Sequence, residues 1–314
     1  MMLDALYVNG RFHTLDPARP QAHALGVFGG LIVGLDEEVE GLPTERLVDL
    51  GGAPVVPGFH DAHHHLSARG HALVFCDVSP QAAPTLEALY AVVARHAATL
   101  GPNDWLRGSG YVDSVLGGHP TREALDAVTG GRPAFLSHAS GHGGVVNSEA
   151  VRRVSGDPDR FPDVDAGFVE RRGDGSLTGF IAERAVEPVS ALLRPQPLEA
   201  HVHAIGLASR AALADGLTSV TEPGISGKLT GNGPGDLAAF QLARDRGLLS
   251  VRTTVMPEFP ALHPVAKAES DLPGFGLDLG LRSGLGDDWL RVGGVKLFGD
   301  GALSARTAAL SCAY

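Results

Sequence analysis

Residues 55–66 read VVPGFHDAHHHL, so a group of histidines directly follows a short apolar run. The chain has 14 histidines in 314 residues, and five of them lie between His60 and His71. Val55 and Val56 begin a predicted β-strand whose C-terminal end carries these histidines. Such a concentration of one titratable residue type at a strand end predicts that the chemistry of the protein is located there.

His63 and His65 are two positions apart at the end of this predicted strand. Side chains at alternate positions of a strand leave the same face, so the two imidazoles can converge on one metal ion. His64 should point to the opposite face and take no part. The alternative is that the three histidines are a chance polar run at a strand end.

The composition excludes several classes of protein. Lys and Arg number 25 against 36 Asp and Glu, a net charge of −11, and such a surface repels phosphate, so nucleic acid is not an expected partner. Cys76 and Cys312 cannot form a disulfide framework, and no apolar run reaches the ~18 residues of a membrane span. The N-terminal MMLDALYVNG lacks the pattern of a secretory signal. We therefore expect a cytoplasmic protein without membrane contact.

Three regions differ in their sequence patterns. Residues 1–54 alternate short apolar runs with turn residues, which predicts an all-β module with hairpin turns at Asn9-Gly10 and Gly29-Gly30. Residues from about 72 to 196 lack a regular alternation of strands and helices, which predicts an inserted α+β subdomain. Around this insertion, residues 55–314 contain four predicted strands that alternate with helices, the pattern of a parallel α/β fold. These strands are VVPGFHDAHHH, LTSVTEPG, LLSVRTTVM and LRVGGVKLF.

Two helices are predicted with particular clarity. The first covers TLEALYAVVARHAATL and ends before Gly101-Pro102. The second covers PLEAHVHAIGLASRAALADG, with its C-terminal cap at Gly216. His201 and His203 within it point about 200° apart, so we expect surface histidines there and not a second metal site. Its predicted apolar side consists of Leu198, Val202, Ile205 and Leu213.

The first motif resembles the Pro-Gly-Phe-x-Asp-x-His-x-His-Leu signature that ends the first barrel strand in the metal-dependent amidohydrolase superfamily. The chain is similar to one branch in particular, amidohydrolase family 3, which includes the N-substituted formamide deformylases. Further motifs match that branch in the same order along the chain. They are LYVNGRFHTLDPARPQAHALGV at 6–27, WLRGSGY at 105–111, GHGGVVNS at 141–148, LTGFIAERA at 177–185, GLTSV at 216–220 and VKLFGDGALSARTAAL at 295–310.

The resemblance implies a (β/α)8 barrel of the TIM type, of which the chain carries about the first four strands, with an accessory β-sandwich formed in part by residues 1–54. It implies one or two divalent metal ions, commonly zinc, bound by His63 and His65. Lys296 stands where the family carries a lysine that becomes a ligand once CO2 has converted its amine to a carbamate. The alternative for Lys296 is a buried lysine paired with Asp300 or another acid.

For the substrate, the resemblance suggests that His142 and Asn147 line the pocket, the alternative being a loop held by hydrogen bonds of the Asn side chain. Glu222, at the end of the predicted strand LTSVTEPG, is expected at the same C-terminal ends of the strands and is a weaker candidate. His60 occupies a position that is usually apolar in the family, so we expect a tolerated histidine in the core or beside the ligands.

The implied activity is hydrolysis of amide-like C–N bonds other than peptide bonds, on a small-molecule substrate such as an N-substituted formamide, by metal-activated water. The family takes two further histidine ligands from strands five and six and a catalytic aspartate from strand eight. No residue here is assigned to that aspartate, because no histidine follows His263 and no aspartate follows Asp300.

The chain is therefore expected to be an N-terminal portion of a longer amidohydrolase, with little activity alone. The exposed strand edges of a half barrel predict association with further copies or with a complementing C-terminal portion. The competing hypothesis is a non-catalytic remnant that binds metal weakly.

Overall fold

The computed structural model describes residues 2–227, 231–265, 274–300 and 308–312. The chain divides into two compact units, Met1–Phe59 and His60–Tyr314. The first unit takes in the predicted β-module and continues to residue 59. No helix within the described ranges is long and apolar enough to span a lipid bilayer.

The first unit consists of seven short strands in two sheets. One sheet has the order β5-β4-β1-β6 and the other the order β3-β2-β7. The strands are β1 (Ala5–Val8), β2 (Arg11–His13), β3 (Gln21–Ala22), β4 (Leu25–Phe28), β5 (Leu31–Leu35), β6 (Leu47–Asp49) and β7 (Pro54–Val55).

One of the two predicted hairpins forms. Gly29 and Gly30 connect β4 to β5 with φ angles of 59° and 77°, and Phe28 lies opposite Leu31 in the antiparallel pair. Both turn positions need positive φ, which glycine adopts without steric cost. The hairpin predicted at Asn9-Gly10 was wrong: β1 pairs with β4 and β6, whereas β2 pairs with β3 and β7. The chain passes from one sheet to the other at this turn.

The second unit begins with the histidine segment and contains a four-stranded sheet of order β19-β16-β15-β8. Its strands are β8 (Phe59–Asp61), β15 (Leu217–Ile225), β16 (Arg252–Pro257) and β19 (Leu290–Val292). Each overlaps one of the four stretches predicted as strands, and β16 pairs in parallel with both β15 and β19. In the part of the chain that the structure describes, this sheet is not closed into a barrel. Its core includes Leu66, Val202, Ile205, Val220, Phe240, Val255 and Leu290.

Between β8 and β15 the chain forms a separate six-stranded sheet of order β13-β14-β12-β11-β10-β9. Three strands at one side, β9 to β11, are parallel, and the remaining pairs are antiparallel. Its strands are β9 (Cys76–Asp77), β10 (Leu106–Tyr111), β11 (Ala134–His138), β12 (Gly143–Val146), β13 (Gly167–Arg171) and β14 (Leu177–Glu183). All of them lie inside the range predicted as an inserted α+β subdomain.

Eight α-helices are described, and both helices predicted with clarity are among them. Thr85 caps the first predicted helix by accepting the N–H of Ala88. The helices are α1 (Leu66–Val74), α2 (Leu86–Ala97), α3 (Asp113–Leu116), α4 (Arg122–Thr129), α5 (Ser148–Ser155), α6 (Glu187–Leu193), α7 (Leu198–Ala214) and α8 (Asp236–Asp245). Two short antiparallel strands, β17 (His263–Pro264) and β18 (Phe275–Gly276), complete the second unit.

The buried side of α7 differs from the predicted one. Val202 and Ile205 are buried as expected, but Leu198 and Leu213 are 44% and 47% exposed. His201, predicted on the surface, is only 1% exposed, so this expectation was wrong. Helix α7 packs against both α1 and α8, so it buries a wider face than its leucines indicate.

Candidate functional site

The histidines of the first motif lie beyond the end of a strand. Strand β8 ends at Asp61, and His63 and His65 belong to the turn that leads into α1, so their predicted position on the strand was wrong. Asp61 forms this turn, because its two carboxylate oxygens accept the backbone N–H of His63 at 3.0 Å and contact Nδ1 of His64 at 3.1 Å. An aspartate that binds the backbone two residues later favours a turn over continued strand.

The turn nevertheless brings the two predicted ligands together. The ring centroids of His63 and His65 are 5.2 Å apart, with the ring planes at 87°. Desolvation and, after it, the positive charges of Lys296 and His65 lower the pKa of His63, so its imidazole is neutral at pH 7. A neutral imidazole keeps a lone pair for a metal ion.

Strand β15 holds this turn in place through two neighbouring residues. The carbonyl oxygen of Thr221 accepts the N–H of His64 at 2.8 Å, and Oε2 of Glu222 accepts the N–H of Ser67 at 2.8 Å. The other oxygen of Glu222 lies 3.4 Å from Nδ1 of His65. Glu222, the weaker candidate of the sequence, thus directly contacts a predicted ligand.

Lys296 lies beside the end of β16, on the side of that strand away from β15. Its backbone N–H donates to Pro257 and its carbonyl oxygen accepts from Phe259, both at 2.9 Å, and its Nζ lies 4.7 Å from the ring centroid of Phe298. The predicted strand LRVGGVKLF is shorter than expected, since β19 ends at Val292 before two glycines. Asp300, the alternative partner of Lys296, accepts the N–H of Ala309 at 2.9 Å.

The described residues fit part of a metal site. Two imidazoles lie side by side, edge to face, and a lysine is near enough for its charge to act on one of them, a donor set that suits zinc and similar ions. Within the described ranges, no group of three or more His, Cys, Asp or Glu side chains is placed to hold a metal. His63 and His65 can thus supply two ligands of a site that needs more.

The two residues expected to line a substrate pocket have different environments. His142 is half-buried, with Nδ1 3.5 Å from Oε2 of Glu183. Asn147 is buried, and its side chain caps α5 and joins four protein groups. Its Oδ1 accepts from Ala134 and Ala150, and its Nδ2 donates to Thr129 and Arg132. This arrangement favours the alternative stated above, in which the Asn side chain holds its loop.

Two further residues lie close to the motif in the sequence. His60 is exposed, not in the core, and its Nδ1 lies 2.8 Å from Oγ of Ser219. Cys76 is buried, and burial raises the pKa of its thiol to about 11. A thiol with that pKa stays protonated and is a poor nucleophile.

A buried polar group was missed by the sequence reasoning. Nε2 of His71 lies 2.8 Å from Nδ1 of His201, whose Nε2 lies 3.5 Å from Oδ1 of Asp236. The other oxygen of Asp236 accepts the N–H of Ser226 and of Asn232, in the loop that follows β15. These residues come from three helices, so spacing along the chain could not indicate the group; the excess of histidine was the only signal.

Comparison with known proteins gives one family and several relatives. An amidohydrolase family model matches residues 46–314. The N-substituted formamide deformylase of Arthrobacter pascens is 37% identical over 190 residues, which are 59% of this chain and 35% of that protein. The putative amidohydrolase YtcJ of Bacillus subtilis is 26% identical over 99% of this chain and 57% of its own length.

Among solved structures, an uncharacterized metal-dependent hydrolase from Pyrococcus horikoshii superposes with a TM-score of 0.65 at 24% identity. The match covers 98% of this chain and 57% of that one. The chain spans little more than half the length of relatives that it matches from end to end. The ordered motifs, the histidine turn and the family match lead to one conclusion: the chain belongs to the amidohydrolase family, in the branch known as amidohydrolase family 3.

Proposed function

We propose that this chain provides part of the active site of a metal-dependent hydrolase that cleaves amide-like C–N bonds other than peptide bonds. The observation that carries the proposal is the adjacent pair of imidazoles, His63 and His65, whose ring centroids are 5.2 Å apart in a turn built by the family motif. The family match and the motif order support the reaction class.

The metal would be held by His63 and His65, together with Lys296 and ligands outside the described residues. When bound, a divalent ion such as zinc supplies Lewis acidity and makes water a stronger nucleophile at neutral pH. Asp61 stabilises the turn that carries both imidazoles, because its carboxylate binds the backbone of His63 and the ring of His64. The lowered pKa of His63 keeps that ring unprotonated and therefore able to bind a cation.

Lys296 would act as a ligand after carboxylation. The neutral amine attacks CO2, an N–C bond forms, one proton is released, and the resulting carbamate offers two oxygens in place of an ammonium that has no lone pair. Incubation of the protein with 13C-labelled bicarbonate should give a carbamate signal in the 13C NMR spectrum that is absent from Lys296→Arg. Equal spectra for both proteins would remove Lys296 from the ligand set.

The proposed substrates are small molecules, with N-substituted formamides first because a relative with 37% identity carries that name. His142, in the connection between β11 and β12 and beside Glu183, is proposed to contact the substrate. The complete active site would take its remaining ligands and its proton-transferring aspartate from the family's later strands. Catalysis is therefore proposed for the whole protein, and metal binding for this chain.

Metal binding is the direct test. Purified protein loaded with zinc and freed of excess ion should retain one or two zinc ions per chain, and His63→Ala with His65→Ala should retain none. His203→Ala, which changes an exposed histidine on α7, serves as the matched control and should bind as the parent does. Equal zinc content in the parent and the double variant would refute the proposed site.

A further inference from the structure

The carboxylate of Glu222 occupies an unusual place for a charged group. It is 2% exposed, in the C-terminal half of β15 and against the turn that carries His63 and His65. Burial of a carboxylate costs free energy unless hydrogen bonds or opposite charges compensate for it. The contacts of its two oxygens therefore indicate why it is there.

One oxygen has a structural task. Oε2 accepts the N–H of Ser67 at 2.8 Å, in the first turn of α1. Backbone N–H groups at a helix N-terminus are otherwise unpaired, and the helix dipole stabilises negative charge at this end. This bond joins α1 to β15 and offsets part of the free-energy cost of burying the carboxylate.

The other oxygen faces a predicted ligand. Oε1 lies 3.4 Å from Nδ1 of His65, and this ring nitrogen is buried without a hydrogen-bond partner. If Nδ1 carried a lone pair, that lone pair would face a negative oxygen, which is repulsive. A proton on Nδ1 makes the same contact attractive. The surroundings therefore favour the tautomer with Nδ1–H, which leaves the lone pair on Nε2.

We propose that Glu222 is a positioning residue for His65: its carboxylate fixes the Nδ1–H tautomer and the ring orientation, so that Nε2 is presented to the metal. The proposal rests on the proposed function, in which His65 is a ligand. A carboxylate that binds the second nitrogen of a ligand histidine typically accounts for a factor of 10 to 100 in metal affinity.

Glu222→Gln separates this role from the structural one. Glutamine has nearly the same volume but only one acceptor oxygen. It therefore cannot present one oxygen to Ser67 and another to His65, as the carboxylate does. Keeping the bond to Ser67 turns the NH2 group toward His65 and favours a lone pair on Nδ1. The proton then moves to Nε2, and the ring loses its lone pair for the metal.

Asp126→Asn is the matched control. Asp126 also accepts from the first turn of a helix, through the backbone N–H of Ser148 at 2.9 Å and its hydroxyl at 2.6 Å, but it lies on α4 in the inserted subdomain. Both substitutions remove a carboxylate from a helix N-terminus. They should lower the free energy of unfolding alike, whereas only Glu222→Gln should change metal binding.

The experiment has two readouts. Competition with a chelating indicator gives the zinc affinity, and long-range 1H–15N NMR of the metal-free protein gives the tautomer of His65, assigned by its loss in His65→Ala. We expect Nδ1–H in the parent and in Asp126→Asn, a shift toward Nε2–H in Glu222→Gln, and a 10- to 100-fold weaker zinc affinity in that variant alone. Glu222→Asp keeps two acceptors and should retain the parent's tautomer.

An Nε2–H tautomer in the parent, or parental zinc affinity in Glu222→Gln, would overturn the proposal. Failure of the parent itself to bind zinc would instead refute the proposed function. If Glu222→Gln does not fold, the tautomers of the parent and of Glu222→Asp decide, since both are measured without metal.

Discussion

The carbonyl oxygen of Ala204 lies 2.1 Å from the position that a Cβ atom on Gly70 would occupy, so α1 and α7 approach each other closely at this point. Glycine is required because the obstacle is backbone and cannot rotate away. This contact sets the distance between α7 and the helix that follows the histidine turn.

The contact predicts a large effect of one methyl group. Gly70→Ala should lower the free energy of unfolding by about 2 kcal/mol or more, because the two helices must separate. Gly206→Ala on α7 is the control. Its Cβ would meet a side-chain atom of Leu248 at 3.3 Å and no backbone atom outside its own helix at a shorter distance, and alanine has a higher helix propensity than glycine. Urea denaturation of both variants measures the difference, and equal stabilities would contradict the prediction.

Asn147 should prove to be a structural residue. Asn147→Ala removes a helix cap and leaves buried groups unpaired, so we expect a loss of about 2–4 kcal/mol in the free energy of unfolding. Asn103→Ala changes an exposed asparagine and should have little effect. A variant at position 147 that unfolds like the parent but binds substrate more weakly would return Asn147 to the substrate pocket.

Acid should destabilise the protein through His71. Burial, followed by the positive charges of His201, Arg107 and Arg194, lowers the pKa of His71 from 6.5 to about 3. In the unfolded chain the imidazole of His71 binds a proton below about pH 6.5, whereas in the folded chain it does so only below about pH 3. The stabilisation is therefore complete above pH 6.5 and is lost as the pH falls, by about 2 kcal/mol at pH 5.

His71→Gln isolates this contribution. The glutamine does not titrate, so the stability difference between parent and variant should shrink by that amount between pH 7 and pH 5. His203→Gln, which changes an exposed histidine on α7, should show no such convergence. Urea unfolding at the two pH values tests the prediction, and a constant difference would show that His71 titrates normally.

Zinc should stabilise the folded chain if His63 and His65 are ligands. A ligand that binds only the native state at 100 times its Kd adds about 2.7 kcal/mol to the free energy of unfolding. Chelation should remove the whole gain, and the double alanine variant should show none. Thermal unfolding with and without a chelator measures it; an equal zinc response in the double variant would contradict the assignment.

The local patterns predicted much of the secondary structure. The four strands of the second unit's first sheet, helices α2 and α7, and the Gly29-Gly30 hairpin follow from apolar periodicity and turn chemistry, which act between residues close in the chain. The placement of β1 and β2 in different sheets could not be predicted in this way, because each strand pairs with strands that are distant in the chain.

The family, and the prediction that His63 and His65 are metal ligands, follow from residue types at fixed spacing in the sequence. The folded chain alone shows that a turn held by Asp61 brings the two ring centroids to 5.2 Å, and that Glu222 lies against His65. It also shows that His201, which helical spacing predicted on the surface, is buried, and that Asn147, which the family resemblance suggested for the pocket, is buried too. The physical reason is that burial and hydrogen-bond partners depend on elements far apart in the chain, which no local pattern encodes.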